Sequence, residues 1–155
     1  MKPRLNQYTA APEMMKAIGV LENAVSGSGL EPSLIELVKI RASQINGCAF
    51  CLHMHTRDAR ARGETEARIY LLNAWRDSPL YSERERAALA WTEAVTLVAD
   101  THVPDCVFEL ASSAFDDAEL VKLTLLIATI NAWNRIAISF RSIHPVTAAA
   151  AAAAA

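Results

Sequence analysis

The stretch IELVKIRASQINGCAFCLHMHTRDARARG, residues 35–63, predicts two helices joined by a tight break. The first helix begins at Pro32, because proline is favoured at the first helical position, and it runs to the Asn46–Gly47 pair. Glycine just after the last helical residue is a common helix stop. The second helix begins near Cys48 and ends at Gly63. The stretch therefore indicates a helical hairpin with two cysteines just after its turn.

The rest of the chain repeats its apolar residues at intervals of three and four. Leu34, Leu37 and Val38 show this spacing, and no sustained alternation with a period of two is found. The fold class is therefore predicted to be all-α, with about six to seven helices. The predicted helices cover residues 11–25, 32–46, 48–63, 64–75, 82–100, 104–115 and 116–141.

Length and composition predict one globular domain over residues 1–147. The chain has 155 residues, of which 52% are hydrophobic and 21% are charged, enough to bury a core. A net charge of -2 gives no electrostatic footprint for nucleic acid or an anionic membrane. The apolar run Leu120–Ile138 is interrupted by polar residues and is predicted to be a buried central helix. Residues 148–155 are alanines, to which no function is assigned.

The three cysteines favour a reducing, cytoplasmic setting. Residues 1–15 lack the apolar core of a secretory signal. In such a setting a close cysteine pair is more often catalytic or metal-binding than a structural disulfide. Cys106 has no cysteine or histidine within helical reach and is predicted to be a packing residue.

Cys48, Cys51 and His55 form one stripe on the second helix of the hairpin. At about 100° per residue, spacings of three, four and seven lie on one face, whereas Phe50 and His53 fall on other faces. The first-turn position of Cys48, its C-x-x-C spacing and the nearby histidine each favour a thiolate. Such a pair suits peroxide attack or thiol–disulfide exchange.

Glu36 is the candidate partner of His55. In a hairpin, Glu36 lies about 15 Å before the break and His55 about 12 Å beyond it, so the two have similar heights on facing helices. A histidine that works as a base needs such an orienting group. The spacing therefore predicts a relay from Glu36 through His55 to a cysteine.

Two other interpretations of the cysteine pair remain open. Both cysteines could be small buried residues without chemistry. Alternatively, they could bind zinc together with His55 and His53. A structural zinc site normally takes four ligands, commonly two pairs from separate segments, and the chain has no second pair. A redox centre is therefore the favoured hypothesis.

The run from Glu36 to His55 resembles the E-x11-C-x2-C-x3-H motif of the AhpD-like alkylhydroperoxidases, a group within the carboxymuconolactone decarboxylase superfamily. The stretches INGCAFCLHMHTRDARARGET, residues 45–65, and INAWNRIAISFR, residues 130–141, are similar to its small single-domain members. The likeness extends over roughly residues 12–143.

The resemblance implies an all-helical fold with the site on a helical hairpin, and assembly into trimers or hexamers. It implies that Cys51 attacks a hydroperoxide and that Cys48 resolves the sulfenic acid as a disulfide. His55 would be the base and Glu36 its partner. Electrons would come from an external dithiol or thioredoxin-like donor, and no metal or organic cofactor is implied.

The sequence departs from known members of that group at Phe50, where they carry a histidine. The helix-terminus argument favours Cys48 as the more acidic thiol, whereas the resemblance favours Cys51 as the attacking one, and both assignments stay open. The alternative function is non-enzymatic: a redox-sensing or structural oligomer whose cysteine pair switches between dithiol and disulfide.

Overall fold

The computed structural model describes residues 1–145, and every regular element within them is helical. The alanine run at 148–155 lies outside the described residues. The described chain forms nine α-helices and one 3-10 helix, with no strand in residues 1–145. The helices are α1 (Gln7–Ala10), α2 (Pro12–Ser26), α3 (Pro32–Asn46), α4 (Ala49–Ala61), α5 (Glu66–Leu71), the 3-10 helix (Leu72–Asp77), α6 (Glu83–Thr96), α7 (Val98–Thr101), α8 (Asp105–Ala114) and α9 (Asp117–Phe140).

The hairpin of α3 and α4 forms as the sequence predicts. After Asn46, Gly47 adopts the left-handed backbone conformation with a φ of 70° and ends α3. Cys48 then caps α4 from extended backbone, and its sulfur accepts a hydrogen bond from the N–H of Cys51 at 3.4 Å. The two helices pack against each other. The turn therefore places the cysteine pair at the closed end of the hairpin.

The other predicted helices are present, with differences at their ends. Segment 64–75 divides, because α5 ends at Leu71 and the chain continues as a 3-10 helix. Segment 82–100 also divides, since α6 ends before Leu97 and the single turn of α7 follows. The sequence pattern does not predict α1, because one turn is too short to show a helical period. The all-α prediction is confirmed.

The last helix, α9, is central to the fold, as predicted for Leu120–Ile138. It packs against α2, α3 and α6, and Leu123, Leu126 and Ile127 on its inner face are fully buried. By length and composition alone α9 could cross a membrane, with a mean hydropathy of 1.3 over its most apolar window, of which 44% is buried inside the fold. Its inner face supplies much of the core between α3 and α6.

We expect Gly47→Ala to destabilise the protein by about 1–2 kcal/mol, because left-handed backbone brings a Cβ too close to the following carbonyl oxygen. Nothing lies within 4 Å of the position that this Cβ would take, so the cost comes from the backbone alone. The change in the free energy of unfolding is measured by urea denaturation.

Gly19→Ala is the matched control for this substitution. Gly19 lies inside α2 and also has open space around it, so alanine is expected to stabilise the protein by about 1 kcal/mol through its higher helix propensity. Effects of the same sign at both glycines would contradict the role given to Gly47.

Candidate active site

Cys48 and Cys51 lie together where α4 begins. Both are free thiols, and they are only 1% and 2% exposed. Ala42 from α3, and Ile130 and Ala137 from α9, pack around them in one apolar cluster. Residues from two other helices therefore pack around the pair, which is almost fully shielded from solvent.

Glu36 and His55 meet across the hairpin. Oε2 of Glu36 lies 2.9 Å from Nδ1 of His55, and the two side chains are 7% and 8% exposed. With the hydrogen on Nδ1 donated to the carboxylate, Nε2 is the ring nitrogen available to a ligand. The other carboxylate oxygen of Glu36 lies 3.8 Å from Nε of Arg62. The carboxylate thus orients the imidazole, as predicted from the similar heights of the two residues on the facing helices.

A cavity of about 660 Å³ adjoins this pair of residues. Glu36, His55 and Cys51 line it, and Cys48 is not among the described residues that do. Of the two cysteines, Cys51 is therefore the one that lines the same cavity as the oriented imidazole. The apolar part of the wall is formed by Leu5, Tyr8, Phe50, Met54, Trp133, Ile136, Ala137 and Ile143.

The hairpin that forms this site lies within the part of the chain that identifies its family. Residues 12–94, more than half of the chain, match the sequence profile of the carboxymuconolactone decarboxylase family. The chain belongs to the carboxymuconolactone decarboxylase family.

Relatives of the chain extend this likeness to nearly its whole length. The uncharacterised protein YdfG of Bacillus subtilis is 45% identical over 139 residues, 90% of this chain and 95% of YdfG. A crystal structure from Agrobacterium tumefaciens, of a protein of unknown function proposed to be the antioxidant-defence protein AhpD, is 52% identical with a TM-score of 0.92. It covers 94% of this chain and 100% of its own. The AhpD-like fold is therefore established.

The same fold occurs in a debrominase. The debrominase Bmp8, solved in complex with 2,3,4-tribromopyrrole, has a TM-score of 0.76 and covers 93% of this chain and 76% of its own. The sequences are 18% identical, so this likeness concerns the fold alone. Because one fold can support different activities, the chemistry of this chain has to be argued from its site residues.

In this member of the family the two thiols differ in acidity. The S–H of Cys51 donates to the sulfur of Cys48, and backbone N–H groups of Cys51 and Phe50 add to it, so that the pKa of Cys48 is lowered to about 7 despite burial. The same hydrogen bond, burial and the charge on Cys48 raise the pKa of Cys51 well above its usual range. The pair therefore carries one negative charge near neutral pH, and that charge is centred on Cys48.

We expect the ultraviolet absorbance of thiolate to titrate with a midpoint of about pH 7 in Cys106→Ser protein, where only the pair contributes. Because the pKa of Cys48 is lowered, its thiolate is populated above the midpoint and is lost as the pH falls through it. One thiolate per chain is expected, because Cys51 keeps its proton. A midpoint near the ordinary cysteine value of about 8.5 would contradict this assignment.

His53 lies outside the site, which removes a ligand from the zinc interpretation. Its ring stacks on that of His144, with the centroids 4.7 Å apart. Within residues 1–145, no group of three or more histidine, cysteine, aspartate or glutamate side chains is placed to hold a metal ion. The residues that line the cavity are therefore interpreted through thiol and acid–base chemistry.

Cys106 is exposed, so the prediction that it is a packing residue is wrong. On α8, Ala111 is buried and Val107, four residues earlier, packs on the same core. Cys106 precedes Val107 and so lies about 100° away around the helix. It is a surface thiol, remote in sequence from the pair and useful to remove in thiol assays.

A second polar group in the cavity wall was not predicted from the sequence. Nζ of Lys39 donates to Oε1 of Glu22, and Nε1 of Trp133 donates to Oε2 of the same carboxylate at 3.1 Å. Burial raises the pKa of Glu22, but the hydrogen bond and charge of Lys39 outweigh it and lower that pKa overall. Lys39 follows Glu36 at a same-face spacing of three, which was a usable signal. Glu22 comes from α2 and gave none.

Proposed function

We propose that the protein is a thiol-dependent peroxidase that reduces organic hydroperoxides through Cys51 and Cys48. One observation supports this most directly: the Glu36–His55 pair, joined at 2.9 Å, lines the same cavity as the Cys51 thiol. A nucleophile, a base and a group that orients the base are what covalent catalysis by a thiol requires. Similarity to an AhpD-described protein at 52% identity supports the same reaction class.

In the first step the pair generates a nucleophile that faces the cavity. His55 accepts one proton from the two thiols, and Glu36 stabilises the resulting imidazolium. Transfer of the remaining proton from Cys51 to Cys48, along the hydrogen bond between their sulfurs, then places the negative charge on Cys51. The Cys51 sulfur attacks the terminal oxygen of the hydroperoxide, the O–O bond breaks, and the alkoxide leaves with the proton of His55 as an alcohol.

In the second step the sulfenic acid on Cys51 is resolved inside the protein. The Cys48 sulfur attacks the Cys51 sulfur, an S–S bond forms, and hydroxide leaves with the Cys48 proton as water. The balance is one hydroperoxide and two thiols to one alcohol, one water and one disulfide. An external dithiol or thioredoxin-like protein would then reduce the disulfide by exchange, itself becoming a disulfide.

The shape of the cavity favours an organic hydroperoxide over hydrogen peroxide. Its volume of about 660 Å³ lies in the range of sites for drug-sized ligands. Phe50, Met54, Trp133 and Ile136 give it apolar walls, which would contact the carbon part of the substrate. Phe50 stands where known AhpD-like proteins have a histidine, so it adds apolar surface next to Cys51. We expect a larger kcat/KM for cumene hydroperoxide than for hydrogen peroxide.

The proposal is tested by turnover and by trapping of the intermediate. Cys106→Ser protein is mixed with cumene hydroperoxide, with and without dihydrolipoamide as a dithiol. Consumption of many equivalents of peroxide, only with the dithiol present, is expected. Dimedone added to the Cys48→Ser variant is expected to label Cys51, read by peptide mass mapping. A single stoichiometric oxidation without turnover would instead indicate the redox-sensing alternative.

We also propose that the protein assembles into a homo-oligomer. Large apolar side chains are exposed on the outer face of α9, with Val121 59% and Leu125 45% exposed, and Phe108 of α8 is 51% exposed. Exposed apolar surface of this kind is commonly covered by a partner. Light scattering after size exclusion is expected to give a mass of three or six chains, and a monomer would contradict the proposal.

A further inference from the structure

Asn134 is a buried amide on the face of α9 that covers the cysteine pair. Its side chain is 0% exposed. It lies between Ile130 and Ala137, which pack with Cys48 and Cys51 in one cluster, and residues three and four apart share a helix face. A polar group in such surroundings costs free energy unless its donors and acceptors are used. The direction of its N–H groups therefore shows which buried acceptors the amide serves.

The hydrogen bonds around Asn131 show which atom of the Asn134 amide is the oxygen. Nη1 of Arg135 lies 2.9 Å from Oδ1 of Asn131, and a guanidinium can only donate, so this atom is the oxygen. Nδ2 of Asn46 lies 2.8 Å from that oxygen and 2.8 Å from Oδ1 of Asn134. Because Asn46 turns its NH₂ group to both neighbours, the Asn134 atom that faces it is the carbonyl oxygen.

The NH₂ group of Asn134 consequently lies on the side of the cysteines. Nδ2 donates to Oγ of Ser43 at 3.0 Å, and the carbonyl of Ser43 accepts the N–H of Cys48 at 3.0 Å. Ser43 uses one N–H of the amide, so the second is available to the sulfurs. The hydrogen bond from Cys51 is the largest cause of the low Cys48 pKa, and the Asn134 amide acts in the same direction.

We propose that Asn134 is a positioning residue whose amide N–H holds the thiolate of the pair from α9. The other donors to the Cys48 sulfur come from α4 itself, and the S–H of Cys51 is lost once the charge moves to Cys51. The amide lies between Ile130 and Ala137, which pack against both cysteines, so it is placed to stabilise the charge before and after that transfer. Its catalytic importance rests on the proposed peroxidase function, whereas its effect on thiol ionisation does not.

The test is a titration of thiolate absorbance in Cys106→Ser protein that also carries Asn134→Ala or Asn134→Asp. Without the N–H donor we expect the midpoint to rise by at least about one pH unit, a tenfold change in the ionisation constant. A larger rise is expected for Asn134→Asp, because a carboxylate replaces the donor with a negative charge. The aspartate has nearly the shape of asparagine, so Asn134→Asp still tests the proposal if the alanine variant does not fold.

Asn131→Ala is the matched control. Asn131 lies on the same helix and contacts the same Asn46, but its Nδ2 donates to Thr96 Oγ1 and to the Ile127 carbonyl instead of facing the pair. We expect a lower melting temperature with an unchanged midpoint. The proposal is overturned if the Asn134 variants have the same titration midpoint as the Cys106→Ser parent, or if Asn131→Ala raises the midpoint as much as they do. If the Asn134 variants shift the midpoint but the parent protein does not turn over peroxide, only the proposed function is overturned.

Discussion

Cys51→Ser is expected to lower the kcat/KM for cumene hydroperoxide by about 10³-fold or more, because it removes the covalent step. Cys51 is the cysteine whose side chain lines the cavity, and a serine hydroxyl does not form an oxyanion near neutral pH. The rate of peroxide loss is measured with excess dithiol, in Cys106→Ser protein. Far-ultraviolet circular dichroism checks that the variant keeps its helices.

Two matched cysteine variants make this result specific. Cys106→Ser alone is expected to leave the rate unchanged, because Cys106 is exposed on α8. Without dithiol, Cys48→Ser is expected to consume one equivalent of peroxide and to keep the sulfenic acid on Cys51, since no disulfide within the pair can form. Full activity in Cys51→Ser, with dimedone label on Cys48, would reverse the two roles and contradict the proposed mechanism.

The acidity and the position of the two thiols favour different attacking residues. The low pKa of Cys48 makes it the better thiolate, whereas Cys51 is the sulfur that a ligand in the cavity meets. A nucleophile must reach its substrate before its acidity matters. Moving the charge from Cys48 to Cys51 costs free energy, because the pKa of Cys51 is the higher of the two. Only Cys51 lines the cavity where a ligand binds, so we give access the greater weight and assign the attack to Cys51.

The sequence predicted those parts of the site that are encoded by spacing within one hairpin. Gly47 stops α3 because only glycine adopts its backbone conformation without strain, and this one position sets where α4 begins. From that turn, helix geometry alone placed Glu36 and His55 at similar heights, and they form a hydrogen bond. Local rules were sufficient because fewer than twenty residues separate the two side chains.

The rest of the cavity depends on contacts between distant parts of the chain, which no local pattern encodes. The N-terminal residues Leu5 and Tyr8 line it because the preceding Arg4 is held at the end of α9, where its N–H donates to the Phe140 carbonyl at 3.0 Å and its guanidinium to the Ser139 carbonyl at 2.9 Å. The orientation of Asn134 is likewise fixed by Asn46. Such features require the packed structure.

Glu36→Gln is expected to lower the kcat/KM for hydroperoxide by about 10²–10⁴-fold, the range associated with general acid–base catalysis. The amide keeps the volume of the carboxylate but removes the charge that stabilises a protonated His55. Single-turnover oxidation of the pair, followed by tryptophan fluorescence, separates this effect from reduction by the dithiol. Arg62→Gln is the control, because Arg62 is 54% exposed and lies 3.8 Å from the other oxygen of Glu36, so less than a tenfold loss is expected.

A double-mutant cycle decides whether Glu36 acts through His55. If the carboxylate works only by orienting and charging the imidazole, His55→Gln and the double variant should have nearly the same rate, because the second substitution removes nothing further. If the fold-losses in rate of the two single variants multiply in the double variant, the two residues act independently. Equal rates for Glu36→Gln and Arg62→Gln would remove Glu36 from the mechanism. Because the pair is buried, with side chains 7% and 8% exposed, either single variant is also expected to lower the melting temperature. The oxidation rates of the variants are therefore compared at a temperature well below their melting temperatures.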